Sequence, residues 1–356
     1  MRIVYVIESI SAMGGLERIL VDKMNALSED SEMEIVLLTV WHDEDGTAYP
    51  LSEKVGRNCL EVTRPPSHWK MATVMPRIVR RFNKEVRRLH PDIVVYFRAI
   101  GAMLASFSSW RGPSVFEAHG ARNYNNHTWL YPLMEHRVSA VVCLTKEDAQ
   151  SYYRAPHVEV IPNFTSIRDL MCPEERKEQK RCVFVGRLCP EKAPLRLLAL
   201  WREIEKGNPG WTLDIYGEGE LEQEVRKNIA TLEQQSNSIR LHGFTDNVAK
   251  IYAESDILLL TSYTEGLPMV LIEAMRCGLP VVSTDCPHGP AEIINNGENG
   301  FLIPQDDDVA YVQAVSTLIR DADLRQRMGR CAMESSKRYS MPEIINRWKE
   351  FFRSLI

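Results

Sequence analysis

Short runs of β-branched and aliphatic residues alternate with longer amphipathic stretches along the whole chain. Strand-length apolar runs followed by helical spacing are the pattern of parallel strands joined by crossover helices. In the first half the pattern predicts strands at Ile3–Ile7, Glu34–Thr39, Ile93–Tyr96, Ser114–Glu117 and Ala140–Leu144, with helices over Gly15–Leu27 and Pro76–Leu89. Val158–Asn163 reads as a short strand stopped by a turn. Residues 166–181 are polar and charged, the composition of a linker. The alternation then restarts at Cys182–Val185 and continues through Trp211–Tyr216, Ile239–His242, Ile257–Thr261, Pro280–Ser283 and Gly300–Ile303. The expected organisation is therefore two Rossmann-like α/β domains, 1–165 and 182–338, joined by the linker 166–181. A closing segment, 339–356, carries Ile344, Ile345, Trp348, Phe351 and Phe352 on one helical face and is expected to cross back to the first domain.

Composition narrows this picture. A chain of 356 residues suits about two domains, and 44% hydrophobic with 26% charged residues excludes disorder and fibrous repeats. The net charge of −5 argues against a nucleic-acid binder. No apolar run reaches the roughly 18 residues of a membrane span. The start, MRIVYVIES, reads as a strand rather than a leader. Eight scattered cysteines without a CxxC pair point to reduced core thiols and a cytoplasmic location.

Two domains of this type bind ligands at the carboxyl ends of their strands, in a cleft between them, so the loops after strands carry the candidate chemistry. After the first strand, Gly14 and Gly15 open a helix whose amides could face an anion, or merely make a strand–helix turn. In Phe184–Lys192, Gly186 opens a turn and Arg187 and Lys192 bring two cations to one loop, either for a diphosphate or as surface charge. In Tyr263–Gly278 a loop with Glu265, Gly266 and Leu267 leads into a helix from Pro268, and Glu273 sits among apolar neighbours. His119 and His242, both beside strand ends, read on composition as structural histidines. Asp306–Asp308 reads as a solvated turn, and no metal site is expected.

The order of these pieces resembles the family 4 retaining glycosyltransferases of the GT-B fold, of the type that builds bacterial capsules, exopolysaccharides and lipid-linked glycans. The resemblance rests on G-G-x-x-R at Gly14–Arg18, V-G-R-x-x-x-E-K at Val185–Lys192, and E-G-x-x-x-x-x-x-E at Glu265–Glu273. The segments Gly278–Thr284 and Gly289–Ile294 add to it. It implies an NDP-sugar donor, of the UDP-Gal, UDP-GalNAc or UDP-Glc kind, and no metal cofactor. It also implies roles: Arg187 and Lys192 on the diphosphate, Glu273 on the ribose, and Glu265 and His119 at the transferred sugar. Gly14, Gly15, Gly266, Leu267 and Pro268 would offer backbone amides or a helix end, and Gly243 and Phe244 would lie near the base. Glu292 could add a sugar or helix-capping contact.

One local charge departs from the average. Between Arg64 and Pro91 there are eight basic residues, among them Arg77, Arg80, Arg81 and Lys84, against the single acid Glu85, with Trp69, Met71 and Met75 interleaved. Such a helix could lie on an anionic membrane surface, grip the diphosphate of a polyprenyl-linked acceptor, or simply pack on the domain; a polysaccharide acceptor is the other expectation. The resemblance thus implies a hexosyltransferase at the inner face of the cytoplasmic membrane. The alternatives are an epimerase-like enzyme of the same fold and a non-catalytic sugar-nucleotide-binding protein.

Overall fold

The structure, a computed structural model, describes residues 1–11, 14–42, 47–66, 71–120, 122, 128–167, 177–233 and 237–356. Trp69, named in the sequence reading, lies outside the described residues, as do Lys70 of the basic stretch, Cys172 among the eight cysteines and most of the linker. The chain divides into two compact units, Met1–Asn163 with Pro342–Ile356, and Phe164–Met341.

In the first unit the strands are β1 (Arg2–Ile7), β2 (Glu34–Trp41), β3 (Gly56–Val62), β4 (Ile93–Phe97), β5 (Ser114–Glu117), β6 (Ala140–Cys143) and β7 (Val158–Val160). They form one parallel sheet in the order β3-β2-β1-β4-β5-β6-β7. The helices are α1 (Gly15–Ser28), α2 (Met71–Leu89), α3 (Arg98–Phe107), α4 (Tyr131–Glu135) and α5 (Lys146–Ala149). Strands such as β4, buried at every position, are apolar throughout because helices can cover both faces of a parallel sheet.

In the second unit β8 (Arg181–Val185), β9 (Thr212–Tyr216), β10 (Ile239–Gly243), β11 (Ile257–Leu260), β12 (Val281–Asp285) and β13 (Gly300–Pro304) make a parallel sheet ordered β10-β9-β8-β11-β12-β13. Its helices are α6 (Pro194–Gly207), α7 (Glu222–Glu233), α8 (Val248–Ala253), α9 (Met269–Arg276), α10 (Pro290–Ile293), α11 (Asp308–Arg320) and α12 (Ala322–Ser336). The last helix, α13 (Met341–Ser354), returns to the first unit, where Phe352 packs edge-on against Tyr5. That return is what its one-sided apolar face predicts.

Two elements differ from the sequence reading. Strand β3 is not foreseen: it is an edge strand with only Leu60 and Val62 buried, too few apolar positions to show alternation. Helix α2 begins at Met71 rather than Pro76, because Met71, Val74 and Met75 pack on the core and extend the helix ahead of the proline.

Strand order reverses between β1 and β4 in the first unit and between β8 and β11 in the second. Connections from the two central strands leave in opposite directions there, which opens a crevice at their carboxyl ends. The loops singled out in the sequence follow β1, β8 and β11, so the topology itself puts them at these two points.

Candidate active site

In the second unit the loop after β8 and the loop after β11 are tied together. Tyr263 donates its amide to the Glu191 carbonyl at 2.8 Å, and the Thr261 hydroxyl donates to the Ala193 carbonyl at 3.2 Å. This brings Lys192 Nζ to 2.6 Å from both carboxylate oxygens of Glu265. The Ser262 hydroxyl donates to Glu265 Oε1 at 2.6 Å, and the carboxylate is 6% exposed. Lys192 and Glu265, expected on a diphosphate and on a sugar, therefore hold each other. Arg187 is exposed and in no salt bridge among the described residues.

Close backbone approach shapes this end of the sheet. A Cβ on Gly217, at φ +143°, would lie 1.9 Å from the Gly186 carbonyl oxygen. Only glycine allows β8 and β9 to finish so near each other. Gly289, at φ +102°, plays the same part for the Gly266–Pro268 turn: its Cβ would meet the Gly266 carbonyl at 2.7 Å and Pro268 Cδ at 2.5 Å. Pro268 is the N-cap residue of α9, and its carbonyl accepts from the Leu271 amide. Glu273 is half-buried in α9, and Tyr252, already raised in pKa by burial, is raised further by the Glu273 charge.

His242 is accounted for structurally. Its Nε2 lies 2.5 Å from the buried Asp214, which also binds Arg181, and its ring stacks on Tyr216 at 4.4 Å. The next residues are free of that network: Gly243 has φ +79°, and Phe244 is 72% exposed. Asp307 caps α11 through the Ala310 amide and Asp308 pairs with Arg196. Glu292 offers its carbonyl to Arg338 and Tyr339.

In the first unit Gly15 opens α1 with free space where a side chain would stand, while a Cβ on Gly14 would strike the Glu17 carboxylate at 2.3 Å. Glu17 is itself held by Arg98 at 2.5 Å, and Arg98 has the left-handed φ of +54° directly after β4. A carboxylate thus already stands beside the α1 N-terminus, balanced by a cation on a strained backbone. Sequence reading missed both residues, since only the β1–β4 adjacency joins them.

His119 follows β5 and is 9% exposed. Its ring stacks on Phe97 at 5.4 Å and its Nε2 lies 2.7 Å from Glu117 Oε1. Glu117 also binds Lys23 Nζ through both oxygens, and the Lys23 ammonium sits over the rings of Trp348, Phe97 and Tyr5. Burial pulls the Glu117 pKa upward, but Lys23 and His119 outweigh it and leave the carboxyl lowered and ionised. Burial likewise pulls the Lys23 pKa down, with Glu117 opposing. An ionised carboxylate only accepts, so Nε2 carries the proton that faces Glu117. The buried Nδ1 of His119 has no partner among the described residues.

The basic helix α2 does not offer its apolar face freely. Ile78, Phe82, Val86 and Leu89 are buried in the core. Arg81 donates to the carbonyls of Leu60 and Glu61, which makes it a tie to β3 rather than a surface charge. Arg77, Arg80 and Lys84 are exposed. No described helix is long and apolar enough to cross a membrane.

Residues 13–168 match the family model described as Glycosyltransferase Family 4, and residues 172–334 match Glycosyl transferases group 1. Among relatives, an exopolysaccharide phosphotransferase of Streptomyces coelicolor is 32% identical over 62% of this chain, which spans about a quarter (24%) of that protein's length. A Campylobacter jejuni α-1,4-N-acetyl-D-galactosaminyltransferase named for an undecaprenol-diphosphate-linked acceptor is 25% identical over 98% of this chain and 97% of its own. Among solved structures, the lipopolysaccharide outer core galactosyltransferase WaaB superposes with a TM-score of 0.81 at 20% identity, covering 100% of both chains. Anabaena HepE, solved with UDP-glucose, gives 0.77 at 18% identity over 99% of this chain and 100% of its own. At those identities the structural likeness speaks for the fold.

Proposed function

We propose that this chain, which belongs to the GT-B glycosyltransferases of bacterial glycan biosynthesis, moves a hexosyl unit from a UDP-sugar to a lipid-linked or polysaccharide acceptor, with retention of configuration. The Lys192–Glu265 pair carries the reading. A carboxylate suited to accept sugar hydroxyls and a cation suited to phosphate oxygens are held side by side, 2.6 Å apart, as a site for a sugar joined to its diphosphate requires of neighbouring groups. Arg187, exposed on the same loop, and the amides entering α9 add positive potential for the charge that grows on the leaving diphosphate.

In this reaction the bond from the anomeric carbon to the donor phosphate oxygen breaks while the acceptor oxygen attacks from the same face. The acceptor's proton passes to the departing phosphate. Glu273 holds the ribose, and Phe244 offers an exposed ring beside Gly243 to the base. His119, with Nε2 committed to Glu117, meets a sugar hydroxyl through Nδ1. The charges that meet the diphosphate are side chains, so the reading calls for no metal ion. The exposed Arg77, Arg80 and Lys84 suit a peripheral place on the anionic inner face of the cytoplasmic membrane. The HepE complex with UDP-glucose and the C. jejuni relative's named acceptor support the donor and acceptor classes.

The test is a donor screen. UDP-sugars should stabilise the protein thermally and be slowly hydrolysed, while GDP- and ADP-sugars should do neither. A response to none of them would sink the transferase reading.

A further inference from the structure

A large apolar groove lies in the first unit at the carboxyl ends of its strands, where Glu8 follows β1, Trp41 ends β2, Arg64 follows β3 and Ile100 follows β4. Its volume of about 1680 Å³ exceeds the roughly 300–1,000 Å³ of ordinary small-molecule pockets. Met71, Met75, Val79, Met103, Phe107 and Trp129 form the apolar lining. Phe107 is 52% exposed and Trp129 73% exposed, a large apolar surface left open to water. Methionine side chains adapt to an irregular, flexible partner rather than to one rigid shape.

Among the described residues, cations outnumber acids around the groove. Arg64, Arg80, Lys84 and Arg87 line the groove, and none has a hydrogen-bond or ion-pair partner among the described residues. Among the described residues of the lining, Glu8 is the one acid. Two other basic residues of the same helix are paired: Arg88 is bound by Glu85 and Asn58, and Arg81 by carbonyls of β3. Arg77 is unpaired as well but lies outside the lining, so four of the unpaired cations, Arg64, Arg80, Lys84 and Arg87, stand beside the apolar wall.

We infer that this groove seats the hydrocarbon chain of a polyprenyl-diphosphate-linked acceptor, with Arg80, Lys84 and Arg87 holding its diphosphate. The pairing of a long apolar trough with a cationic edge fits a long single chain ending in an anion. A free sugar lacks the apolar length, and an uncharged lipid leaves the cations idle. The inference rests on the transferase reading for the word acceptor, but not for the binding itself. It also sharpens the part of α2: with Ile78, Phe82, Val86 and Leu89 already buried, the helix contributes one wall of a lipid trough rather than an inserted face.

Trp41 and Trp129 line the groove, so their fluorescence reports occupancy. A long-chain polyprenyl diphosphate in neutral detergent should bind saturably, more than about a hundredfold tighter than inorganic pyrophosphate, since each buried methylene adds about 0.8 kcal/mol. The combined Arg80→Ala, Lys84→Ala and Arg87→Ala variant should lose about tenfold or more, as charge-assisted contacts go. Ala72→Glu, at an exposed groove position, should abolish chain binding without touching the core. Equal affinity for pyrophosphate and lipid would overturn the inference, as would wild-type affinity in both variants or an equal saturable response to phosphatidylglycerol vesicles. Thermal stabilisation by UDP is read in parallel. Lipid binding without UDP binding would uphold the groove and sink the transferase reading; UDP binding without lipid binding would sink the groove alone.

Discussion

Lys23 and Glu117 form an ion pair in which each side chain is 2% exposed, joining the middle of α1 to the end of β5. The carboxylate binds the ammonium with both oxygens and still receives the His119 ring nitrogen. The ammonium's remaining sides face aromatic rings, the nearest being Trp348 at 4.1 Å. A candidate active-site histidine is therefore oriented by a carboxylate that is itself held by a buried cation.

Removing one member of a buried pair strands the other. Lys23→Met should destabilise the protein by about 3–5 kcal/mol in urea unfolding, because Glu117 keeps its desolvation without its principal counter-charge. The double variant Lys23→Met with Glu117→Gln should recover much of that loss while leaving His119 free to change tautomer, read by nitrogen NMR of the ring. A Lys23→Met protein within about 0.5 kcal/mol of wild type would contradict the pair's structural weight.

The pH dependence follows from the lowered Glu117 pKa. A carboxyl whose folded pKa lies below its unfolded value, about 4.3, stabilises the fold fully above that value. The stabilisation is lost as pH falls through the lower folded pKa. In Lys23→Met the carboxyl loses a cation, its pKa rises, and acid unfolding followed by circular dichroism should begin at higher pH than in wild type. An unchanged acid limb would count against the assignment.

On the proposed mechanism, Lys192→Ala removes a charge that matters most when the diphosphate departs. Turnover should fall about a hundredfold, the range for losing one stabilising donor, while donor affinity falls far less. Equal losses in both would assign Lys192 to ground-state binding. The same assays in EDTA should run at full rate.

With Glu273 on the ribose as proposed, Glu273→Ala should weaken UDP-sugar binding by about tenfold to a hundredfold, the range for losing charge-assisted hydrogen bonds. Calorimetry that finds unchanged affinity would take Glu273 out of the nucleotide site.

Much of the fold was legible because fully buried parallel strands such as β4 and β11 are continuous apolar runs that stand out from any neighbour. The second-unit loops were legible too, since Gly186, Arg187, Lys192, Glu265 and Glu273 lie in two short segments. What stayed hidden depends on long-range pairing. Nothing near Lys23, flanked by Leu20, Val21, Met24 and Leu27 on the buried side of α1, announces a partner 94 residues away. Arg98 looks ordinary until its positive φ and its contact with Glu17 are seen. The groove draws on residues from Glu8 to Leu130, each unremarkable in its own window. Helix α2 showed its charge in the sequence, but not which cations the fold would consume.

The position of Trp348 has a bearing on how the protein is made. It lies on the final helix and closes over Lys23, near the other end of the chain, with the whole second unit synthesised between them. Domains fold as units in the order they emerge during synthesis. Here the second unit can be finished while the first still lacks its lid, with a charged lysine waiting for its aromatic cover. The half of the molecule that is translated first is thus the half completed last, and damage to the final helix would be felt at the ion pair beside His119.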